Sequence, residues 1–296
     1  MEVHMIVVTT PTGAIGGRVV ADLLDRGAPV RVIARDPARL PARVHADAEV
    51  VAGSHGDPDV IEKALDGADA VFWVPPPNRA ADNVLAPYVD FTRPACEAFV
   101  RQGVGQVVGV SALGRGVPGN AGHVTASLAM DDMIAATGVP YRALANPSFM
   151  DNLLRQVSPI RDQGVFFGPT AADLAAPLCA TPDIAAAGVR LLLDRSWTGA
   201  GEVAVLGPED LTHDDMAGIM SDVLGKPVRY QRVPYEAFRE TLVGGGMSDA
   251  MARAMVDMAR AKDDGLDNAQ ERTPDNTTPT SFRQWCTEVL RPAVLG

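Results

Sequence analysis

The sequence predicts an α/β fold, a doubly wound parallel sheet followed by a smaller C-terminal region. Three observations carry this. Short β-branched runs alternate with longer amphipathic stretches through the first half, several runs are apolar at every position, and a glycine-bearing turn directly follows the first run. Uninterrupted apolar runs suit strands covered on both faces, as in a parallel sheet flanked by helices. In chain order, Met5 to Thr9 (MIVVT) predicts the first strand and Gly16 to Arg26 a helix that Gly27 ends. Pro29 to Ala34 and Glu49 to Gly53 predict the second and third strands, followed by a helix over Pro58 to Leu65. Ala70 to Val74 (AVFWV) predicts the fourth strand, stopped by Pro75, Pro76 and Pro77. Asp82 to Gln102 predicts a helix that Pro87 and Pro94 break or kink. Val107 to Ser111 and Tyr141 to Ala145 supply the fifth and sixth strands, with a helix near Val124 to Thr137 between them. The alternation is that of a Rossmann-type domain over residues 1–150.

Residues 151–296 read as a smaller substrate-binding region, with elements at about 182–206 rejoining the first sheet. Pro182 to Arg195, Asp214 to Leu224 and the Met-rich Ser248 to Arg260 predict helices. Glu202 to Leu206 and Val228 to Val233 predict strands, and the polar stretch Asp263 to Thr280 a loop before a last helix at Ser281 to Leu290.

Composition narrows the function. A chain of 296 residues with 47% hydrophobic and 21% charged residues can bury a sizeable core and is not disordered in character. The net charge of −11 argues against a nucleic-acid partner, because phosphate contacts need a basic surface. No stretch reaches the roughly 20 apolar residues of a membrane span. The opening MEVHMIVVTT lacks a basic n-region, so no secretion signal is expected. Cys96, Cys179 and Cys286 are odd in number and widely spaced, which fits a reducing cytoplasm. The five histidines are scattered, so no metal is expected. Lysine occurs only at Lys63, Lys226 and Lys262, and the abundance of Ala, Arg and Gly suggests a GC-rich genome.

Thr9 to Gly17 (TTPTGAIGG) lies between the first strand and its helix, where backbone N–H groups and the positive helix end can face a pyrophosphate. Thr10 stands where such turns usually carry their first glycine. After the second strand comes Arg35 in place of an acidic residue, with Arg39 one helical turn on, a pattern that suits the 2′-phosphate of NADPH/NADP+.

These motifs carry a family resemblance. VVTTPTGAIGGRVVADLLDRGAPVRVIARDP, GADAVFWVPPP, SALG from Ser111, TGVPYRALANPSFMDNLL from Thr137, the segment from Gly201 to Tyr230 and the closing TPTSFRQW stand in characteristic order and spacing. The chain resembles the NmrA-like family of atypical short-chain dehydrogenase/reductases nearly end to end, with Thr10-Pro11 replacing the family's usual Gly-Ala. The resemblance implies that Thr10, Thr12, Gly13, Ala14 and Ile15 face the pyrophosphate and Arg35 the adenosine phosphate. Val74 and Pro75 would line the adenosine side, and Asn146 and Pro147 would sit near the nicotinamide.

Typical short-chain reductases pair a Tyr with a Lys four residues later. Here Tyr88, Tyr141, Tyr230 and Tyr235 are followed at that spacing by Thr92, Ala145, Pro234 and Arg239. His123 and Ser127 stand where the family often shows His or Tyr followed by Lys, and Ser111 ends the fifth strand where related enzymes hold a substrate carbonyl. Ser111 and His123 are therefore the candidate catalytic residues, with water or a substrate phenol as other proton sources. A hydrolase elbow around Ser111 fails because Leu113 replaces the required glycine. Phe149, Met150 and Asn152, with Phe166, Phe167 and the methionines Met247, Met251, Met255 and Met258, are the candidate lining of an apolar pocket. The expected function is NADPH-dependent reduction of a ketone on an aromatic polyketide or quinone-like substrate, as in an angucyclinone-type ketoreductase branch of the family. The alternative is a non-catalytic NADP(H) sensor acting through a protein partner. The oligomeric state stays open.

Overall fold

Val7 and Val8 point to opposite faces of one strand and both are fully buried, so helices must cover the sheet on each side. The computed structural model describes residues 4–296; residues 1–3 of the opening MEVHMIVVTT lie outside the described residues. The first half runs β1 (Met5–Val8), α1 (Ala14–Asp25), β2 (Val30–Ala34), α2 (Ala42–Asp47), β3 (Glu49–Ala52), α3 (Pro58–Leu65) and β4 (Ala68–Trp73). It continues through α4 (Phe91–Arg101), β5 (Gln106–Ala112), α5 (His123–Ala135) and β6 (Tyr141–Asn146). The second half holds β7 (Ser148–Phe149), α6 (Val157–Gln163), β8 (Val165–Gly168), β9 (Ala176–Cys179), α7 (Thr181–Leu193), β10 (Ala200–Ala204) and β11 (Asp210–Leu211). Then follow α8 (His213–Leu224), β12 (Arg229–Arg232), α9 (Tyr235–Gly244), α10 (Asp249–Asp263), α11 (Phe282–Trp285) and α12 (Arg291–Leu295).

Seven strands form one sheet in the order β10-β6-β5-β4-β1-β2-β3, parallel at every pairing. This is the predicted doubly wound α/β fold. Strand order reverses between β1 and β4, and ligands of such sheets bind outside the strand C-termini at that switch. One face packs Ile6, Val8, Val32 and Phe72 against Val19, Leu23 and Ile184, and the other packs Val7, Val71 and Trp73 against Ile61, Leu65 and Phe99. A third core joins Met150, Leu153, Phe166, Met220, Phe282 and Trp285 beyond the sheet. There β9 lies between β7 and β11, and β8 pairs with β12. Among the described residues no helix is long and apolar enough to cross a membrane.

The helix predicted from Asp82 starts later, because Asn83 Oδ1 accepts from Ala86 N at 2.9 Å and caps it there. A π-helical turn over Ala86–Asp90 then leads into α4, which holds Pro94 inside it. Helix α9 was not legible in the sequence: none of its residues is buried, so it carries no core-facing apolar stripe.

The turn after β1 is tightly packed. Thr10 adopts φ +49°, the one non-glycine residue at positive φ among those described. A Cβ on Gly16 would lie 2.4 Å from Thr10 O and 2.8 Å from Thr9 O, so α1 abuts the turn only because Gly16 has no side chain. Gly16→Ala should destabilise the protein by about 1–3 kcal/mol in urea unfolding, the usual cost of overpacking. Thr10→Gly should stay within about 1 kcal/mol of the parent, since relief of left-handed strain is offset by a freer unfolded chain.

Candidate active site

At the end of α1 the N-cap is Gly13, which supplies no side-chain cap. Gly13 N donates to Thr10 O at 2.9 Å, and the first helical bond is Gly17 N to Gly13 O. The N–H groups of Ala14 and Ile15 consequently have no protein acceptor among the described residues, the state in which a helix start receives an anion. Across the switch point Val74 closes this cradle. Thr9 Oγ1, fully buried, accepts from Val74 N at 2.8 Å and lies 3.2 Å from Val74 O. His55 Nε2 donates to the same carbonyl at 3.0 Å, its ring edge-on to Trp73 and Phe91. Burial lowers the His55 pKa from 6.5 to about 4, so the ring is neutral. Arg35 is exposed at the end of β2, without an ion-pair partner among the described residues, and near enough to His55 to oppose its protonation. A dinucleotide fits this arrangement: open N–H groups, a backbone that only glycine lets approach, and an uncommitted guanidinium where a 2′-phosphate would lie.

At the ends of β5 and β6, Asn146 donates from Nδ2 to Ser111 O at 3.0 Å and to Leu144 O at 2.7 Å, while its buried Oδ1 has no partner. Ser111 is itself buried. Its hydroxyl donates to Asp131 Oδ2, Tyr141 OH donates to Asp131 Oδ1 at 2.6 Å, and Ser127 Oγ lies 3.2 Å from Ser111 Oγ. Arg115 Nη2 stands 3.8 Å from Asp131. Burial raises the Asp131 pKa to about 6, with the Ser111 and Tyr141 hydrogen bonds pulling the other way. His123 is occupied on both nitrogens. Nε2 donates to Met251 O at 3.2 Å, which leaves Nδ1 to accept from Tyr88 OH at 3.2 Å. Burial holds its pKa below the ordinary value.

Beyond Pro147 a cavity of about 180 Å³ opens among β7, β8, β9 and α8, walled by Phe149, Phe166 and Phe167. Phe149 and Asn152 line it; Met150 instead turns into the third core, 2% exposed. Ser111 and His123 do not line it, nor do Met247, Met255 and Met258; Met251 is turned instead to the buried face of α10, which packs on α5 and α9. Lys262 and Asp267 also line it, and no sequence motif points to either.

The model of the NmrA-like family matches residues 2–285. The chain belongs to the NmrA-like family. Among relatives of this NmrA-like protein, the (4-alkanoyl-5-oxo-2,5-dihydrofuran-3-yl)methyl phosphate reductase of Streptomyces griseus is 32% identical over 296 residues, 96% of this chain and 97% of that one. The NAD(P)H azoreductase of Xenophilus azovorans is 27% identical over 92% of this chain and 93% of its own. In fold it is similar to an NADPH-dependent quinone oxidoreductase from Escherichia coli, solved with NADPH. That likeness has a TM-score of 0.79 at 23% identity, covering 97% of this chain and 99% of that one.

The two shifted groups make opposite demands on stability. Between pH 6.5 and about 4 an unfolded His55 binds a proton that the folded ring refuses, so its contribution is lost as pH falls. Folded Asp131 takes its proton near 6, the unfolded residue only near 3.8, so its contribution grows over the same fall. On acidification from pH 7 to 4.5, His55→Gln should therefore gain on the parent by up to about 3 kcal/mol in urea unfolding. Asp131→Asn should lose by roughly 2 kcal/mol.

Proposed function

We propose that this NmrA-like protein is an NADPH-dependent reductase of a small conjugated carbonyl compound, either a quinone-like ring or an aromatic-polyketide-type ketone flanked by a phenol. The observation that carries the reading is the commitment of both candidate acids: the His123 ring nitrogens face Tyr88 and Met251, and the Ser111 proton faces Asp131. Hydride transfer to an isolated ketone leaves an alkoxide, about as basic as hydroxide, whose parent acid has a pKa of ~15.7. Such a product needs a positioned acid. A quinone-like substrate leaves a phenolate, whose parent acid lies near ~10, and water suffices to protonate it. A ketone beside a phenol is served by its own neighbouring proton. The reductase names of the relatives in furanone, azo and quinone chemistry support the same class.

In this reading NADPH supplies the hydride, and the quinone gains that hydride and one proton to become the hydroquinone. Ala14 and Ile15 hold the pyrophosphate by backbone N–H groups and the helix end, Thr10, Thr12 and Gly13 shape the turn around it, and Arg35 takes the 2′-phosphate. Val74 and Pro75 flank the adenosine, while Asn146 and Pro147 lie beside the nicotinamide with the free Asn146 Oδ1 available to it. Phe149 and Asn152 receive the substrate. An engineered cavity of ~150 Å³ takes one benzene ring, so the 180 Å³ here favours one or two fused rings over four.

NADPH oxidation should be measured with naphthoquinones and with aryl ketone pairs, one member a free phenol beside the carbonyl and the other its methyl ether. Turnover of quinones and free phenols, with little of the ethers, is expected. His123→Ala and Ser111→Ala should each lower kcat by less than the ~10²–10⁴-fold typical of an acid–base residue; a larger loss would make that residue the donor. Tight NADPH binding without turnover of any of these compounds would favour the sensor. Arg35→Ala should raise the Kd for NADPH by at least about tenfold and leave that for NADH nearly unchanged, whereas equal weakening would put the phosphate elsewhere.

A further inference from the structure

The polar groups around the 180 Å³ cavity divide sharply by what they already do. Gln156 is used up by Phe167, donating to its carbonyl at 2.9 Å and accepting from its N–H at 2.7 Å. His213, kept neutral by burial and stacked on Tyr230, donates from Nδ1 to Ala171 O at 3.1 Å and faces the Thr170 hydroxyl with Nε2. Lys262 and Asp267 are different. Lys262, in the last turn of α10, has a side chain 17% exposed and donates only to Asp267 Oδ2, so two of its three N–H groups are unused among the described residues. Asp267 is 4% exposed, and its Oδ1 is buried with no hydrogen-bond partner. An orphan carboxylate oxygen at such depth is costly, and an ion pair in an aromatic cavity adds little stability over apolar side chains of equal volume.

We propose that Lys262 and Asp267 together read one edge of the substrate, a carbonyl oxygen with a hydroxyl beside it. The assignment rests on the reductase reading above and names its substrate class: hydroxylated quinones, held by the carbonyl that the hydride does not reach. The spare ammonium N–H groups donate to the carbonyl oxygen in place of the neighbouring hydroxyl, whose proton turns to Asp267 Oδ1. A ring without the hydroxyl leaves Oδ1 orphaned and is discriminated against for that reason. The phenyl walls of Phe149, Phe166 and Phe167 cover the ring faces and carry no such selectivity.

The test is calorimetric binding of 5-hydroxy-1,4-naphthoquinone and of 1,4-naphthoquinone to the full chain saturated with NADP+, where no hydride is available. The parent should bind the hydroxylated ring at least about tenfold more tightly, the worth of one hydrogen bond to a charged acceptor. In the double variant Lys262→Met with Asp267→Leu the ratio of the two Kd values should fall to about one, and in Asp267→Asn, whose amide oxygen accepts without charge, it should fall severalfold. The double variant removes both charges together, so a folding defect in one cannot imitate the result in both. A parent without preference, or a preference that survives in both variants, overturns the assignment. The reductase reading fails separately, if NADPH oxidation is absent with both quinones while the binding preference is present.

Discussion

The candidate cofactor side depends on the backbone of Val74, held from three directions where β4 ends. Thr9 reaches it from β1, His55 from the loop after β3, and the strand itself from below. The Thr9 hydroxyl is fully buried and satisfied by these contacts, so the ends of β1 and β4 cannot part without stranding a polar group. Their closeness sets the width of the crevice at the switch point. The left-handed Thr10 follows from the same packing, because the chain must turn at once to bring α1 against β1, and Gly16 lets it do so.

Much of this half could be read directly from the chain. The β1 turn and helix α1 are local, and a glycine where α1 meets the turn has a steric reason that survives the loss of the usual first glycine. Arg35 was legible because it follows a strand end at fixed spacing. The rest of the site is assembled by tertiary packing. Phe149 and Met150 are neighbours with similar chemistry, yet one faces the cavity and the other the third core, a choice made by the 3₁₀ turn that starts at Met150. Lys262 and Asp267 lie more than a hundred positions from Phe149, and the scarcity of lysine was the one hint available. Asp131 had a weak signal of its own, one helical face shared with His123 and Ser127 at four-residue spacing.

The hydroxyls of Ser111 and Tyr141 converge on a carboxylate whose pKa burial raises to about 6, and Ser127 backs Ser111. While Asp131 is ionised it draws the Ser111 proton inward, and Ser127 in turn donates to Ser111. The Ser111 hydroxyl at the end of β5 is thereby held by one buried carboxylate, and Arg115, which also binds Asp132 and Glu202 at the surface, favours its ionised form from outside.

Helix α10 joins two places that are otherwise far apart. Its cap, Ser248, donates from its N–H to Arg79 O at 2.9 Å and from its hydroxyl to Ala81 O at 2.6 Å, fastening it to the loop beyond β4. In its first turn it accepts the His123 ring at Met251, and its last turn carries Lys262 into the cavity. Fifteen residues of α-helix make a rod of roughly 22 Å. The loop bordering the crevice and the cation of the cavity therefore sit at opposite ends of one stiff rod, with His123 fastened to it beside the loop.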